Sequence, residues 1–537
     1  MHLLALAFLA AGCTDKQPGG DDTDTGQVSS EDTASETGTA GGDDTGSTPT
    51  GSGACFNEGQ EQIVLDGALS FSTLDEALAN ASDGSVLLVC DGSYDAGVTL
   101  DFPVTLRSAG GPDGAILRGV GGSVLRVASS GVVIDGLTLS GGLGSAWDIG
   151  EAEPVLAGGA VFAEDVETLT LTNNVLIGNS ATYGGGVAAV RVGLLTASGN
   201  SFSTNIAEVA GGGLYAQQGE TVMTSDALFG NSAEFGGGLS IEGGGLTLMS
   251  VSLESNDGRV RGGGLMVLSE ATLSVSGGVI RGNTSAFGGG VTAQGAAAVS
   301  LDGDLLLDGN VAGTWGGGLY LENVPEVSLS DIQLQANAAG FGGGGFMNGC
   351  DVEASGLSVA GNEAERSGGG LYALESSLSI ADSTISDNAL TLPAEEGAPC
   401  GGGLVGQVAD ISVSDSALSG NTSTLYGGGV CLVGGSLTMS GGSIRDGDAG
   451  EWGGGLWLQS GAAASLSGVS VTDNTAAFGG GGAYLYIDGA TLVSDASSWG
   501  SETSDNAPDD VNVWGTAYDA YGDDESFTCD VGGGVCG

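Results

Sequence analysis

The stretch "LFGNSAEFGGGLSI", Leu228 to Ile241, decides the fold because the chain keeps repeating it. "LIGNSATYGGGVAA" begins at Leu176, "IRGNTSAFGGGVTA" at Ile280 and "VTDNTAAFGGGGAYL" at Val471. Glycine runs start at Gly158, Gly184, Gly211, Gly236, Gly262, Gly288, Gly316, Gly342, Gly368, Gly401, Gly427, Gly453 and Gly479. Their spacing is 25 to 28 residues, apart from one interval of 33 between Gly368 and Gly401. A fixed period of this size is the mark of a solenoid, in which each repeat buries its apolar face only against its neighbours.

Inside one repeat, "GGGLYLE" (from Gly316), "EVSLSD" (from Glu326) and "IQLQAN" (from Ile332) alternate apolar and polar residues. Period-two alternation over four to six residues predicts strands. Three strands and three turns in 26 residues make one coil of a parallel β-helix. Coils ~4.8 Å apart, roughly sixteen of them, would form a rod about 75 Å long. The fold class is therefore all-β, a single-stranded parallel β-helix.

Such stacking explains the repeated residues. Glycine has no Cβ and accepts positive φ and close backbone approach at a corner. Asn tolerates the left-handed conformation, and stacked amides can hydrogen-bond from coil to coil. The predicted ladder is Asn179, Asn205, Asn231, Asn256, Asn283, Asn310, Asn337, Asn362, Asn388, Asn421 and Asn474, with Asp448 as its one acid. A calcium-binding nonapeptide roll is excluded, because the repeat is not nine residues long and places no Asp after its glycines.

Composition narrows the function. The 537 residues hold 66 acids against 10 Lys plus Arg, a formal charge of −56. Nucleic acid is excluded as a partner, because phosphate binding needs clustered cations. "MHLLALAFLAAGCTDK" reads as a short secretory signal over 1–12, ending at Cys13. Residues 13–54, rich in Asp, Thr and Gly, cannot offset their ordering entropy and read as a disordered acidic tether.

The remaining domains follow. "STLDEALANASDG", Ser72 to Gly84, predicts an amphipathic helix with Ser72 as N-cap, Asp75 in the capping box and Gly84 as terminator, capping the rod within 55–84. The solenoid spans 85–494. The insert "ALTLPAEEGAPC", Ala389 to Cys400, accounts for the long interval as a protruding loop. Residues 495–537 form an acidic C-terminal cap or tail.

From "DEALANASDGSVLLVCDGSYD" onward the chain resembles the right-handed parallel β-helix (pectin-lyase-like) superfamily. Its repeats are similar to those of the polymorphic outer-membrane proteins of chlamydiae, defined by GGA[ILV] and FxxN. "GGAV" at Gly158 and "FSTN" at Phe202 match those motifs, and the other units carry GGG[LV]. The first residues resemble a bacterial lipoprotein signal, which implies lipid attachment at Cys13. The chlamydial proteins end in a membrane barrel. Here 55 residues follow the last glycine run, fewer than even a small barrel needs, so lipid is the expected anchor. The resemblance implies surface display and adhesion to an extracellular protein or glycan. The expected location is the cell envelope, at the outer-membrane surface or outside the cell.

Many β-helices act on polysaccharides, using carboxylates with a positioned Arg, Lys or His. The one His is His2, the one Lys is Lys16, and the nine arginines largely fall out of phase with the coil. The expectation is therefore a non-catalytic surface protein, with a polysaccharide lyase or hydrolase as the alternative.

Cysteines in an exported chain are expected to pair. Cys55–Cys90 ties the cap to the first strand, and Cys529–Cys536 closes a C-terminal loop. The partners among Cys350, Cys400 and Cys431 stay open. No cofactor is expected beyond a weak candidate calcium site at Asp505, Asp509 and Asp510, which also reads as an acidic tail.

Aromatic residues stand before the glycines at Tyr183, Phe235, Phe287, Trp315, Phe341, Tyr426, Trp452 and Phe478, predicting a structural stack. A second set, Tyr215, Tyr320, Tyr372 and Trp457, alternates with inward leucines. It is expected to face outward as the binding surface. The lipid assignment has a direct check. Cys13→Ser is expected to move the protein from the membrane to the soluble fraction and to abolish labelling by radioactive palmitate. Unchanged labelling would remove it.

Overall fold

The computed structural model describes Cys55 and residues 62–151, 153–391, 400–486, 489–501, 504–519, 525–531 and 535–537. The signal, Cys13 and the acidic tether lie outside the described residues. The chain is an all-β parallel solenoid of about sixteen turns, each about 26 residues long. Successive coils pair in parallel and in register, as in Val161↔Val187 and Leu169↔Leu195.

Many coils have four short strands, one more than the alternation predicts, and in others the second and third run together, as in Gly245–Glu254. In one coil the four are Leu319–Glu322, Val327–Ser330, Gln333–Gln335 and Ala338–Phe341. The fourth belongs to a separate fourteen-stranded sheet that runs the length of the solenoid. Its residues do not alternate in a regular apolar–polar pattern, so coil-to-coil pairing makes a strand of them. The expected loop at Ala389–Cys400 is partly strand for the same reason. Ala389–Leu390 joins this sheet and Cys400 bridges Ser367 and Tyr426, while 392–399 lie outside the described residues.

Leu319 and Leu321 are fully buried in the continuous aliphatic core. The corner before them needs all three glycines. Gly316 sits at φ +66, a Cβ on Gly317 would meet the Gly343 carbonyl, and one on Gly318 would lie 2.6 Å from the Gly344 carbonyl. In the last coil Gly480 takes the positive-φ place, so Gly479 is not the first corner residue but stands one place before it.

Beside the corner runs the Asn column. Asn310 is fully buried. Its Nδ2 donates to Ile280 O at 2.8 Å and to Asn337 Oδ1 at 3.0 Å. Its Oδ1 accepts from the backbone N and Nδ2 of Asn283, at 3.1 and 3.0 Å. Both amide ends are thus fully employed, and the pattern repeats from Asn179 to Asn421. The expected acid in the ladder is corrected. Asp448 pairs with Thr422 on the adjacent strand, and Gly447 holds the ladder position, donating to Asn474 Oδ1 at 2.9 Å. The column ends on Asn506, whose Oδ1 accepts from Asn474.

A second, shorter ladder links Asn174, Asn200 and Asp226. Beyond Asp226 the apolar Val251 takes the place.

At the N-terminal end the helix Leu74–Ala79 places Leu74 and Ala77 in the core. Thr73 is the N-cap rather than Ser72. The Thr73 Oγ1 accepts from Glu76 N, while the Ser72 hydroxyl donates to the Glu76 carboxylate. The helix closes on Asn80, not Gly84, because the Asn80 amide already satisfies the Glu76 carbonyl. Disulfides join Cys55–Cys90, Cys400–Cys431 and Cys529–Cys536, and Cys350 is a buried free thiol.

Burial pushes the Asp226 carboxyl up to about 6, against the Asn200 and Thr224 amides that favour its charged form. Its folded value lies above the unfolded one, so the contribution of this one group to stability is fully present below about pH 4 and is lost as pH rises through about 6. Asp226→Asn is expected to remove that dependence and to stabilise the chain at pH 7.5 by about 2–3 kcal/mol. Melting temperatures of both proteins between pH 4 and 8 check it.

Candidate functional site

The strand after the glycines has two working faces. Its leucines enter the core, and its middle residue turns into the concave corner formed with the preceding fourth strand. The sequence reading exposes Tyr215, Tyr320, Tyr372 and Trp457 there. The structure corrects this, since the four are only 2%, 1%, 7% and 3% exposed. Alternation predicts the side of the strand a ring takes, but not that the neighbouring sheet folds over it.

The rings before the glycines provide that cover. Tyr183 lies 5.1 Å from Tyr215, Trp315 6.0 Å from Tyr320, Phe341 6.0 Å from Tyr372 and Tyr426 4.4 Å from Trp457. Ala210, Arg261, Ser367 and Cys400 are non-aromatic members of the column, and two of them fill it in other ways. Arg261 holds its guanidinium 5.3 Å from the Phe287 ring centre, and Cys400 bonds across the corner to Cys431. Phe478 falls outside the column, because Gly479 pairs with Trp452, and it is 61% exposed.

The buried rings also spend their polar atoms within the chain. Tyr215 donates to Glu242 at 2.9 Å, Tyr320 to Glu322 at 2.9 Å, and Trp457 Nε1 to Gln459 at 3.2 Å, while Tyr372 OH bonds Gln407. Burial is the main reason that the phenols of Tyr183, Tyr215, Tyr320, Tyr372, Tyr426 and Tyr484 are held above the ordinary tyrosine value.

The corner opens at its C-terminal end. Above Trp452 the next coil pairs Gly479, with the Phe478 ring tilted 5.4 Å away, and above Tyr484 it places Asn512, so the ring-on-ring column does not continue. A cavity of about 340 Å³ results, lined by Tyr426, Trp452, Trp457, Tyr484, Tyr486, Trp514 and Gly515. Trp514 sits at the tip of the hairpin Val511–Val513/Thr516–Tyr518, 49% exposed and edge-on to Tyr486 at 5.0 Å. Glu451 borders this end, adding to the rise of the Tyr426 phenol. Periodicity marks the repeated Trp457 but misses Tyr486 and Trp514, which stand outside the repeat.

The candidate calcium residues do not converge. Asp509 accepts from Asn512 Nδ2 at 3.1 Å and from Gly480 N, Asp510 accepts from Asn506 at 2.8 Å, and Asp505 is exposed. Among the described residues no group of three or more His, Cys, Asp or Glu could hold a metal. Of the arginines, Arg126 and Arg191 do meet at one carboxylate, Glu164, at 3.7 and 2.9 Å.

No protein-family profile matches the chain, and no curated protein does. Two solved structures are similar in fold. A mutant of the periplasmic alginate epimerase AlgG is 11% identical, with a TM-score of 0.28 over 72% of this chain and 85% of its own. The catalytic unit of a thermostable GH87 α-1,3-glucanase from Streptomyces thermodiastaticus is 15% identical, with a TM-score of 0.27 over 80% of this chain and 66% of its own. Both are parallel β-helix proteins. Both are also carbohydrate-active enzymes, which overturns the expectation of a non-enzyme. That expectation rested on the shortage of cations, and glycoside hydrolysis needs only a pair of carboxyl groups.

The phenols provide a check on the sealed corner. In a phenolate-absorbance titration, Tyr183, Tyr215, Tyr320, Tyr372, Tyr426 and Tyr484 are expected to ionise at higher pH in the folded chain than after unfolding. Ionisation at the same pH in both states would contradict the burial.

Proposed function

We propose that the chain is a polysaccharide-acting protein whose sugar site is the aromatic cleft between Tyr426 and Trp514. The supporting observation is the cleft itself, where six rings bearing phenol and indole tips converge at the one end of the corner that the coils leave uncovered. Rigid rings supply contact area at little entropic cost, and those polar tips not already bonded within the chain, as Trp457 Nε1 is to Gln459 and the Tyr426 phenol to Glu451, can meet hydroxyl groups. The reading agrees with the kinds of protein that share the fold, an epimerase and a glucanase. Its reaction class is hydrolysis, or lyase cleavage only where the polymer is a polyuronate, because β-elimination needs a uronate carboxyl beside the proton that leaves. Lipid attachment through Cys13 would hold the rod at the cell envelope, with the solenoid as a spacer that carries the cleft away from the membrane.

Trp514 is the ring to change, because it is half exposed at the tip of the hairpin Val511–Val513/Thr516–Tyr518. Trp514→Ala in the full chain is expected to weaken polysaccharide binding about tenfold, or about 1.4 kcal/mol. Its melting temperature should stay close to that of the parent, as expected for a surface substitution. Affinity electrophoresis on a polysaccharide panel measures the binding, and new reducing or unsaturated ends in the same digests report cleavage. A folded chain that binds no polysaccharide would remove the proposal.

A further inference from the structure

We infer that the polymer taken by this cleft is uncharged, and that polyuronates and other polyanions are shut out. The inference rests on the reading of the cleft as a sugar site, and it names the substrate class of that site.

The lining comes first. Among the described residues it is entirely phenol, indole and glycine. A phenol donates and accepts, and an indole N–H donates, which matches the hydroxyl and ring oxygens of a sugar. Neither neutralises a carboxylate or sulfate, and pressing such an anion against rings without a cation costs far more than it returns.

The surroundings add to this. From residue 367 to the C-terminus the sequence carries 22 acidic residues and a single cation, Arg445. No undescribed residue of that region can therefore bring a positive charge to the cleft. Arg445 lies on the short third strand Ser443–Arg445, not on the strands that carry the rings, and is paired with Asp446 at 2.9 Å. Glu451 borders the site, and Asp509 lies behind Asn512, which stands above Tyr484. A surface field of one sign raises the local concentration of opposite charges and repels its own.

That field alone would also draw a polycation. The ring geometry argues against one. Trp457 is sandwiched between Tyr426 (4.4 Å, 19°) and Tyr484 (4.9 Å, 5°), so its two faces are already covered. What this stack presents is ring edge, where the partial charge is positive. Edges suit neutral oxygen atoms and disfavour an ammonium group, which would need an open face.

The test sets length-matched uncharged glucans, mannans and xylans, a polyuronate and a glucosamine polymer against the full chain and its Trp514→Ala variant. Binding is read by calorimetry at low and high salt. An uncharged polymer is expected to bind with an affinity that changes less than about twofold with salt, and to lose about tenfold in the variant. The polyuronate is expected to bind at least about tenfold more weakly at low salt, with the gap closing as salt is added. A polyuronate bound as tightly as the best neutral polymer would overturn the inference and leave the sugar site standing. Tighter, steeply salt-dependent binding of the glucosamine polymer would do the same. Binding of no polymer by the folded chain would overturn both.

Discussion

Close approach at one corner governs this molecule. From Gly184 to Gly482 each coil turns through a glycine triplet with the backbone of the next coil directly above it, so the corner has room for backbone and nothing else. The turn also leaves backbone groups pointing into a space that water cannot enter. The Asn side chain resolves this. Its amide has two donor and two acceptor positions, and at Asn310 all four are used between three coils. A buried polar group without partners costs about 1–3 kcal/mol. A column of fully satisfied amides therefore fixes register, because slipping one coil by a residue would orphan its neighbours' groups. The one break in the column, at Gly447, is bridged by the main chain donating directly to Asn474.

With the corner fixed, the strand that follows can serve two cores. Its leucines join the aliphatic interior, while its middle residues and the rings of the preceding strand form aromatic clusters on the outside of the same backbone. This second layer tolerates chemical substitution. An arginine over a phenylalanine and a disulfide across the corner occupy places where other coils use rings. What these residues share is the ability to fill a fixed volume, which dispersion rewards whatever the side chain.

Function enters where the filling stops. Gly479 and Asn512 end the regular pairing of the two ring columns, and the rings there border the cleft with Tyr486 and Trp514. A sealed corner would be structure only, and an open one makes a cleft. In a region almost devoid of cations, that cleft offers hydroxyl-matching groups and no counter-charge. If the cleft is the sugar site proposed above, the shortage of Lys, Arg and His bears on which polymer can approach.

The sequence by itself determined the solenoid. The glycine and Asn spacing carries the period, the fold class and the positions of the main ladder, because these obey a constraint repeated in every coil. It determined also which side of the strand Tyr320 and Trp457 take, since alternation is local. It was silent on the fourth strand, whose residues 338–341 have no alternating pattern and form a strand only because coils above and below pair with them. The Asn174–Asn200–Asp226 ladder has too few members to stand out as a period. Tertiary structure alone decided that the outward rings are covered, because cover comes from a sheet that meets them at an angle. It decided too where the cover ends, which depends on two aperiodic residues, Gly479 and Asn512, and on the hairpin bearing Trp514. Periodic constraints can be read along a chain, whereas the place where a stack terminates is set by packing in three dimensions.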